Sequence, residues 1–585
     1  MKTASVPPRG PYNKPLMGIG TVLFERGLVS KAQLEQAVTE QRASGERLDR
    51  VLIRMGIISR DQILSAIGDQ FHMPVVDLSS LVVDPKVLEA LPAKLVYKQN
   101  CVPIARDERA GNRLTVATSD PFELSVLDEL RLLTGCSIEL VLADEDDLHK
   151  FIRANYGVGG DTLNEMTASA APAASPDPAT ADEMDQAQEA SVIKLVNDIL
   201  IEAIKERATD VHIEPYEREL TVRYRIDGVL HRANVPPTIN RFGAAIISRL
   251  KIMANLNIAE KRRPQDGRIT FKYRIPGQPL DQSAAGGEFD LRVSVIPMLY
   301  GEGVVLRVLN KTAVLMGLED LGMPENVLTA WDRLIARPHG ILLVTGPTGS
   351  GKSTTLYASL NRIVSDEIKA ITVEDPVEYH VPGVNQIQVN HKVGLDFSSG
   401  LRSILRHDPD VVMIGEIRDK ETAETAVQAS LTGHLVFSTL HTNDAAGATT
   451  RLLDMGVEPF LVASSVEGIL AQRLVRRICR ECARPYSPDH ADIPDGLVLK
   501  KGQTLSKGAG CRNCRNSGYR GRVGIYELLQ LSDRTRELIM QRKNAQDIAA
   551  ASLAEGHLSR LRDDGYTKIL AGATTIEEVL GALVA

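Results

Sequence analysis

Residues 346–353 match a phosphate-binding loop of the form G-x-x-x-x-G-K-[ST] at every fixed position. The loop is followed by Thr354 and consists of Gly346, Pro347, Thr348, Gly349, Ser350, Gly351, Lys352 and Ser353. Glycines let the backbone wrap an anion, so that N–H groups at a helix start face the phosphates. Lys352 is expected to reach the β- and γ-phosphates, and the Ser353 hydroxyl to bind Mg²⁺. The motif therefore predicts a site for ATP with Mg²⁺.

The segments around the loop have the pattern that this motif requires. The apolar run Ile341–Val344 predicts a buried strand before it, and Ser353–Ile363 predicts a helix after it. Further strand candidates at Ile371–Val373, Val411–Ile414 and Leu435–Leu440 alternate with helical segments. This order predicts an α/β domain with a mostly parallel sheet covered by helices.

Two acidic groups follow predicted strands of this sheet. Glu374 and Glu378 come after the predicted strand Ile371–Val373, and Glu416 follows the apolar residues 411–414. Ligands bind at the carboxyl ends of parallel strands, so these carboxylates are predicted to face the nucleotide. Such groups orient the attacking water or lie near Mg²⁺. The alternatives are a surface acidic turn at 374–378 and a plain core strand at 411–414.

Two histidines, His434 and His441, flank the apolar strand Leu435–Leu440. Either could donate a hydrogen bond to the γ-phosphate or report its loss. The alternative is a structural role, which is usual for a histidine at a strand end.

Four cysteines form two C-x-x-C hooks, Cys479 with Cys482 and Cys511 with Cys514, separated by 28 residues. Paired hooks of this kind predict a tetrahedral site for structural zinc. The alternatives are two redox dithiols or unpaired core cysteines. A dense group of arginines surrounds the hooks and predicts either a surface for a partner or anionic lipid, or a solvated basic surface: Arg473, Arg476, Arg477, Arg480, Arg512, Arg515, Arg520 and Arg522.

The bulk composition limits the classes of function. The chain has 585 residues, which predicts three to five domains, and its net charge of −7 without a long basic block disfavours a nucleic-acid machine. No apolar stretch approaches the roughly 18 residues of a membrane span, and residues 1–15 lack the apolar run of a secretory signal. We expect a cytoplasmic protein whose membrane contact is peripheral.

Residues 1–73 contain a duplication with a period of 29 residues. Gly20, Leu23, Gly27, Leu34 and Gln41 recur as Asp49, Leu52, Gly56, Ile63 and Gln70. Each copy carries Ser-x-x-Gln, Ser30 with Gln33 and Ser59 with Gln62, which predicts a capping box at a helix start. Two helical units should pack together, because neither buries its apolar face alone.

The rest of the chain divides by composition. Residues 74–156 predict a small α/β domain, and residues 157–190, rich in Ala, Pro, Ser and Asp in their central part, predict a flexible linker. Residues 191–315 predict a third domain, with a helix at Asp198–Glu206. Residues 316–585 carry the phosphate loop, with the cysteine insert at 479–514.

These motifs resemble, in order and spacing, those of the GspE/PilB group of secretion ATPases, which drive type II secretion and type IV pilus extension. The resemblance runs from about residue 191 to the C-terminus and is looser before the linker. It implies a RecA-like ATPase domain preceded by a PAS-like domain. By resemblance, Glu378 is the general base, while Glu374 and Glu416 hold Mg²⁺ or its waters. The third domain is expected to supply arginines to the nucleotide, and Arg225, Arg268 and Arg292 are the candidates.

The N-terminal repeat resembles a tandem domain that binds cyclic di-GMP in some members of the group. The first copy has Gly18 where the pattern has Arg, and the second keeps Arg47 but has Asp49 in place of Gly. A missing Arg removes a phosphate contact, and an added Asp repels an anion. We expect a degenerate site; the alternative is a docking module for the membrane platform.

The resemblance implies a homohexameric ATPase at the cytoplasmic face of a bacterial inner membrane, powering type II pseudopilus assembly through a platform protein and a membrane docking protein. Type IV pilus extension is the alternative. A retraction motor of the same superfamily is disfavoured by the N-terminal extension and the cysteine hooks. A scaffold that binds ATP without hydrolysis is disfavoured by Glu378 and Glu416, and a nucleic-acid translocase by the acidic charge balance.

Overall fold

The structure is a computed structural model. It describes residues 20, 23–24, 26–44, 48–71, 73–78, 81–107, 112–119, 124–160, 162–163, 166, 189–273, 287–310, 316–489, 493–500 and 502–584. The chain divides into two compact units, Met1–Ile226 with Leu230–Val308, and Asp227–Val229 with Leu309–Ala585. No helix within these described ranges is long and apolar enough to cross a membrane.

The N-terminal repeat forms helices at Lys31–Ser44, Leu48–Arg54 and Arg60–Phe71. Both predicted capping boxes are confirmed. The Ser30 N–H donates to Gln33 Oε1 at 3.0 Å and the Gln33 N–H donates back to Ser30 Oγ at 3.3 Å, and Ser59 with Gln62 shows the same two distances. Gln33 and Gln62 thus satisfy backbone donors that a helix start leaves free.

The two copies of the repeat bury one common core, as predicted. Its buried members come from both copies and include Leu23, Val29, Ala37, Val51, Leu52, Ile58, Ile63, Ala66 and Ile67. Gly27 and Gly56 occupy equivalent turns with φ of +69° and +67°, a conformation that glycine adopts without strain. Gly18 and Arg47 lie outside the described residues.

The second region is a small α/β arrangement. Its helices are Pro85–Leu88, Ala93–Gln99, Leu124–Thr134 and Glu145–Tyr156, and its strands are β1 (Cys101–Asp107), β2 (Arg113–Thr118) and β3 (Ser137–Leu142). β1 is antiparallel to β2, and β2 is parallel to β3. Cys101 and Cys136 are buried in its core, as small apolar residues often are.

The third region packs two helices, Ala190–Lys205 and Gly243–Met253, with a six-stranded sheet. The strands are β4 (Asp210–Pro215), β5 (Leu220–Ile226), β6 (Val229–Arg232), β7 (Gln265–Tyr273), β8 (Gly287–Met298) and β9 (Gly301–Asn310). Their order in the sheet is β6-β5-β4-β9-β8-β7. Val158, Leu163 and Met166 are buried in this same core. The first part of the segment predicted as a linker is therefore packed; residues 167–188 lie outside the described residues.

The strands of the C-terminal region are β10 (Gly340–Thr345), β11 (Ala370–Glu374), β12 (Val384–Gln388), β13 (Val411–Ile414), β14 (Leu435–Leu440), β15 (Val466–Ile478), β16 (Ala483–Tyr486), β17 (Leu505–Gly508), β18 (Tyr519–Gln530) and β19 (Leu558–Ser559). Eight of them form a sheet of order β12-β11-β13-β14-β10-β15-β18-β19, and β16 and β17 form a two-stranded sheet. The strands from β12 to β15 are mutually parallel, which confirms the predicted parallel sheet. β18 and β19 add an antiparallel edge.

Helices cover both faces of this sheet. They are Glu325–Ile335, Lys352–Ile363, Phe397–Ile404, Lys420–Leu431, Ala445–Asp454, Pro459–Ser465, Asp533–Met540, Ala545–Ala554, Leu561–Leu570 and Ile576–Val584. Every residue of β10, β13 and β14 is buried. Strands covered on both faces read as continuous apolar runs, which is why these three were visible in the sequence.

Candidate nucleotide site

The phosphate loop connects β10 to the helix Lys352–Ile363, and glycines supply its backbone shape. Gly346, Gly349 and Gly351 have φ of +147°, +79° and +90°. These values are rare for residues with a side chain. A Cβ on Gly346 would lie 2.5 Å from the Gln472 carbonyl oxygen, so space as well as conformation requires glycine there.

Lys352 points back into the phosphate loop. Its Nζ donates to the carbonyl oxygens of Gly346 at 2.8 Å and Pro347 at 3.2 Å. Burial, helped by the nearby Arg473 cation, lowers the Lys352 pKa to about 8. Phosphates at the loop would favour the charged amine, because an opposite charge stabilises it.

The remaining residues of the loop divide by exposure. Ser353 is exposed and Thr354 half-buried at the start of the helix, where a hydroxyl is expected to meet Mg²⁺. Thr348 is exposed on the outer side of the loop, and Ser350 is buried. The Ser353 hydroxyl is thus accessible to a bound nucleotide and its ion.

Glu374 is buried within a network of donors at the end of β11. Its carboxylate accepts hydrogen bonds from Tyr357 Oη, from Thr372 Oγ1 at 2.6 Å and from Gln386 Nε2 at 3.1 Å. Tyr357 Oη in turn accepts the Glu378 N–H at 3.3 Å. Burial and the adjacent carboxylate raise the Tyr357 pKa, so it remains a donor. Glu374 therefore positions the segment that carries Glu378.

Glu416 and His441 meet at the carboxyl ends of neighbouring strands. His441 Nε2 lies 3.4 Å from Glu416 Oε2, and Arg418 forms an ion pair with the same carboxylate. Burial, with the Lys352 and Arg418 cations nearby, lowers the His441 pKa. Lys352, Glu416 and His441 are thereby brought together although they lie up to 89 positions apart in the chain.

The structure does not bring His434 to this group. His434 precedes the first residue of β14, and its carbonyl accepts the N–H of Gly340, the first residue of β10. Its Nδ1 bonds within its own turn, 2.8 Å from the Ala429 carbonyl oxygen. Six residues of strand span about 20 Å, so His434 lies at the opposite edge of the sheet from the phosphate loop. The sequence pattern did not distinguish the two histidines, because both flank an apolar strand. The direction of β14 places them at opposite ends of that strand.

Gln472, which no sequence motif indicates, and Arg473, which was predicted to lie in a surface cluster, are found where β15 continues past the end of β10. Arg473 is only 5% exposed, and its Nη2 donates to Asn443 O at 2.9 Å and Asn443 Oδ1 at 3.3 Å. Its Nε is buried without a hydrogen-bond partner in the described structure. The expected surface cluster of arginines does not include it. The signal that could have found it is its place in the mainly apolar segment Val466–Val475, which forms a strand buried along most of its length.

Arg476 also departs from the expected surface cluster. Its Nη2 donates to Glu578 Oε1 at 2.6 Å, and its guanidinium lies 4.3 Å from the centre of the Tyr519 ring. These contacts are within the protein, and they give Arg476 a structural role beside the cysteine hooks.

The candidate arginines lie on the six-stranded sheet of the other unit. Arg225 Nε is 3.6 Å from Asp210 Oδ2, and Arg268 forms an ion pair with Asp290. Arg268 and Arg292 are directly opposed in the β7–β8 register, so their side chains share one face of that sheet. Arg268 and Arg292 are therefore neighbours on this face, where the Asp290 carboxylate pairs with Arg268.

The four predicted zinc ligands converge. Their sulfur atoms all lie within 4.8 Å of one another, with three Sγ–Sγ distances of 3.6–3.8 Å, across Cys479–Cys511, Cys482–Cys514 and Cys511–Cys514. A tetrahedral zinc with Zn–S bonds of 2.3 Å places sulfurs about 3.8 Å apart, so the residues fit this ion. Burial opposes ionisation of Cys514, but N–H donors from Cys511 and Gly518 lower its pKa.

A parallel sheet with a phosphate loop after β10 and a carboxylate beyond β13 defines the site of a P-loop nucleoside triphosphatase. Residues 185–581 match the family described as Type II/IV secretion system protein, and residues 71–162 match the MshEN domain. The chain belongs to this family and is a P-loop secretion ATPase.

Individual relatives agree with this assignment. The type IV pilus assembly ATPase PilB of Myxococcus xanthus is 42% identical over 571 residues, covering 96% of this chain and 98% of that protein. Type II secretion system protein E of Pseudomonas aeruginosa is 44% identical over 514 residues, 87% of this chain and 98% of the relative. The solved structure of the Legionella pneumophila ATPase DotB, at 20% identity and a TM-score of 0.50, covers 67% of this chain and 95% of that one. That last likeness concerns the fold alone.

Proposed function

We propose that this protein is a ring-forming ATPase that powers assembly of a type II secretion pseudopilus. The observation that carries the ATPase part is the convergence of Lys352, Glu416 and His441 at the carboxyl edge of the sheet. The secretion part is supported by relatives named type II secretion system protein E, one of which, from Dickeya dadantii, is 52% identical over 404 residues.

In the proposed reaction, water attacks the γ-phosphorus of ATP and the bond to the β–γ bridging oxygen breaks, giving ADP and phosphate. Glu378 takes the proton of the attacking water, and Lys352 neutralises charge on the β- and γ-phosphates. Ser353 and Glu416 would hold Mg²⁺, which offsets charge on the transferred group. Glu374 acts through Tyr357 and positions the Glu378 backbone.

The arginines of the six-stranded sheet support a second part of the proposal. One of the candidates Arg225, Arg268 and Arg292 supplies a planar cation to the transferred phosphoryl group. Replacing each in turn by Lys should identify the residue that acts: that variant loses turnover by about 10²-fold or more and keeps ATP affinity.

The ATPase proposal is tested by turnover of the purified protein as a function of its concentration, with and without anionic vesicles. Specific activity should rise with protein concentration as a homohexamer forms. Glu378→Gln should bind ATP and lose turnover, and Lys352→Ala should lose both. Retained hydrolysis in Glu378→Gln would overturn the base assignment. Gln530→Glu, on β18 away from the loop, is the matched control.

Type IV pilus extension is a second candidate, because the PilB relative covers nearly the full length of this chain. Deleting the gene in its host separates the two. Loss of secreted enzymes with intact pili supports the type II proposal, whereas loss of pili with intact secretion supports the second. Either role places the protein on the cytoplasmic face of the inner membrane, bound to a platform protein and a docking protein.

Three predictions about ligands accompany this function: zinc binds, cyclic di-GMP binds weakly at most, and nucleic acid has no effect on turnover. The cysteines Cys479, Cys482, Cys511 and Cys514 hold zinc, which metal analysis of the purified protein would detect. The N-terminal repeat carries a degenerate site for cyclic di-GMP, so calorimetry should detect at most weak binding. DNA and RNA should leave turnover unchanged, in keeping with the net charge of −7.

A further inference from the structure

Gln472 is a buried side chain that joins the phosphate loop to the helix that follows it. It is 1% exposed. Its Nε2 donates to the Ser350 carbonyl oxygen at 2.7 Å, and its Oε1 accepts from Thr355 Oγ1 at 2.8 Å. The side chain thus bonds to a residue of the loop and to a residue of the helix at once.

The hydrogen bond to the Ser350 carbonyl also fixes the direction of the next backbone N–H group, that of Gly351. A peptide group is planar and trans, so its C=O and its N–H point in opposite directions. The Ser350 C=O is held towards β15 by Gln472, and the N–H of Gly351 therefore points away from β15, into the loop. Backbone N–H groups of this kind are what cradle the phosphates of a bound nucleotide.

The chemistry of position 472 restricts which residues could do this. The side chain must donate to a carbonyl and accept from a hydroxyl at the same time, and an amide offers both. A carboxylate would lack the donor, a lysine would lack the acceptor, and an asparagine would be one methylene too short. The Ser350 carbonyl selects the orientation of the amide, because a carbonyl only accepts and requires Nε2 on its side; the Thr355 hydroxyl then donates to Oε1 on the helix side.

The position of β15 makes this contact possible. β15 pairs with β10 up to Ala471, opposite Thr345, and then continues beside the phosphate loop. A Cβ on Gly351 would lie 3.1 Å from Gln472 Nε2, so the loop packs directly on this side chain. Loop and strand are therefore in close contact at Gln472.

We infer that Gln472 is a positioning residue for nucleotide binding, which sets the direction of the Gly351 N–H by holding the Ser350 carbonyl. The inference rests on the proposed nucleotide role of the loop. Phosphate loops of this kind cradle the α- and β-phosphates with backbone N–H groups, so the effect applies to ATP and ADP alike. Residues that contact the γ-phosphate would instead discriminate between the two nucleotides.

The test is the Kd of the full-length protein for ATP and for ADP, measured by displacement of a fluorescent ATP analogue. Gln472→Met keeps the volume but loses donor and acceptor, and should weaken both nucleotides by about tenfold, near the upper end for one hydrogen bond. Thr355→Val removes the donor to Gln472 Oε1, so the amide is held at one end only, and should weaken both by about threefold. Thr355→Ser keeps the hydroxyl and should restore wild-type affinity.

The controls separate positioning from a loss of folding. Gln530→Glu, in the same β15–β18 pair but away from the loop, should leave both Kd values unchanged. Thermal unfolding without nucleotide is recorded for every variant. A lower midpoint with wild-type Kd values in Gln472→Met would mean a purely structural role and overturn the inference.

Two further outcomes are decisive. If Gln472→Met does not fold, wild-type affinity in Thr355→Val overturns the inference, and a matched loss for ATP and ADP supports it. A loss confined to ATP would also overturn it, because the γ-phosphate would then be the group affected. Failure of the wild-type protein to bind ATP would instead overturn the proposed function, so the two failures are distinguishable.

Discussion

The nucleotide site and the cysteine site of the C-terminal unit are built in different ways. The cysteine site takes its four ligands from two short hooks, each of which sets its own spacing. The nucleotide site draws on the loop after β10 and on residues beyond β11, β13 and β14, which strand order alone brings together. A locally encoded site depends on motif spacing, whereas a distributed site depends on the sheet.

The two sites are nevertheless joined by one pair of strands. β15 carries Gln472 and Arg473 beside the phosphate loop and ends at Ile478, next to Cys479. β18 pairs with it along its length, from Ile478 opposite Tyr519 to Gly468 opposite Gln530. Damage to the cysteine site should therefore reach the nucleotide site through this pair.

Removal of zinc gives the largest expected effect and tests that connection. Cys482→Ser, or a zinc chelator, should lower the thermal unfolding midpoint by roughly 5–10 °C, because metal binding supplies folding free energy. Hydrogen exchange should increase at residues 479–518 first. ATP affinity should fall by less than about tenfold.

The matched control for that experiment is Cys136→Ser, which alters a buried cysteine outside the four-cysteine group of the described residues. It should leave the zinc content at one ion per chain. Loss of zinc in Cys136→Ser, or no loss in Cys482→Ser, would contradict the local origin of the site.

The two histidines that flank β14, His434 and His441, test the distributed site. His441→Ala should reduce turnover by about 10²-fold, the usual cost of one preorganised polar contact to the reacting group, and weaken ATP more than ADP. His434→Ala, at the opposite edge of the sheet, should stay within about twofold of wild type in both. Equal losses in the two variants would show that strand direction does not divide their roles.

The pH dependence of ATP affinity tests the charge at the phosphate loop. Burial lowers the Lys352 pKa to about 8, while bound phosphates favour its charged form. Affinity should therefore be full below pH 8 and fall by about tenfold for each pH unit above it, because free Lys352 must first take up a proton. His441 titrates below its ordinary range and Arg473 stays charged, so neither produces this fall.

Titration of the Kd between pH 7 and 9.5 measures the effect. Lys352→Arg is the control, since arginine does not lose its proton in this range, and its profile should be flat whatever its absolute affinity. A wild-type profile that is equally flat would count against the titration of Lys352.

Arg473→Lys gives the smallest expected effect. It keeps a buried cation but loses the second hydrogen bond to Asn443, so stability should drop by about 1 kcal/mol. ATP affinity should change by about threefold or less, because Asn443 lies two residues from His441 and shifts its loop only slightly. A loss of ATP affinity in Arg473→Lys as large as the loss in His441→Ala would place Arg473 among the groups that contact the phosphates.

Much of the fold was predictable from the sequence because its signals are local. Continuous apolar runs predicted β10, β13 and β14, and the Ser-x-x-Gln pattern predicted both capping boxes of the repeat. The same locality explains the errors. Leu163 and Met166 sit next to a stretch rich in Ala and Pro, and composition assigned them to the linker although they are buried in a core.

Arg473 and Gln472 have roles that local sequence signals do not predict. No motif singles out an arginine among eight near the cysteine hooks, and a glutamine in a strand carries no signal of its own. Their roles follow from the extension of β15 past β10, which sequence patterns do not reveal because pairing partners lie more than 120 positions apart.

The sequence by itself determined the chemistry of this protein: a phosphate loop, carboxylates after buried strands and four thiolates with the spacing of a zinc site. Residue type and local spacing suffice for that, because backbone geometry over a few residues is nearly fixed. Tertiary structure alone decided which groups meet, namely His441 rather than His434 with Glu416, and Gln472 with Ser350. Those contacts depend on strand order and direction, which long-range packing sets.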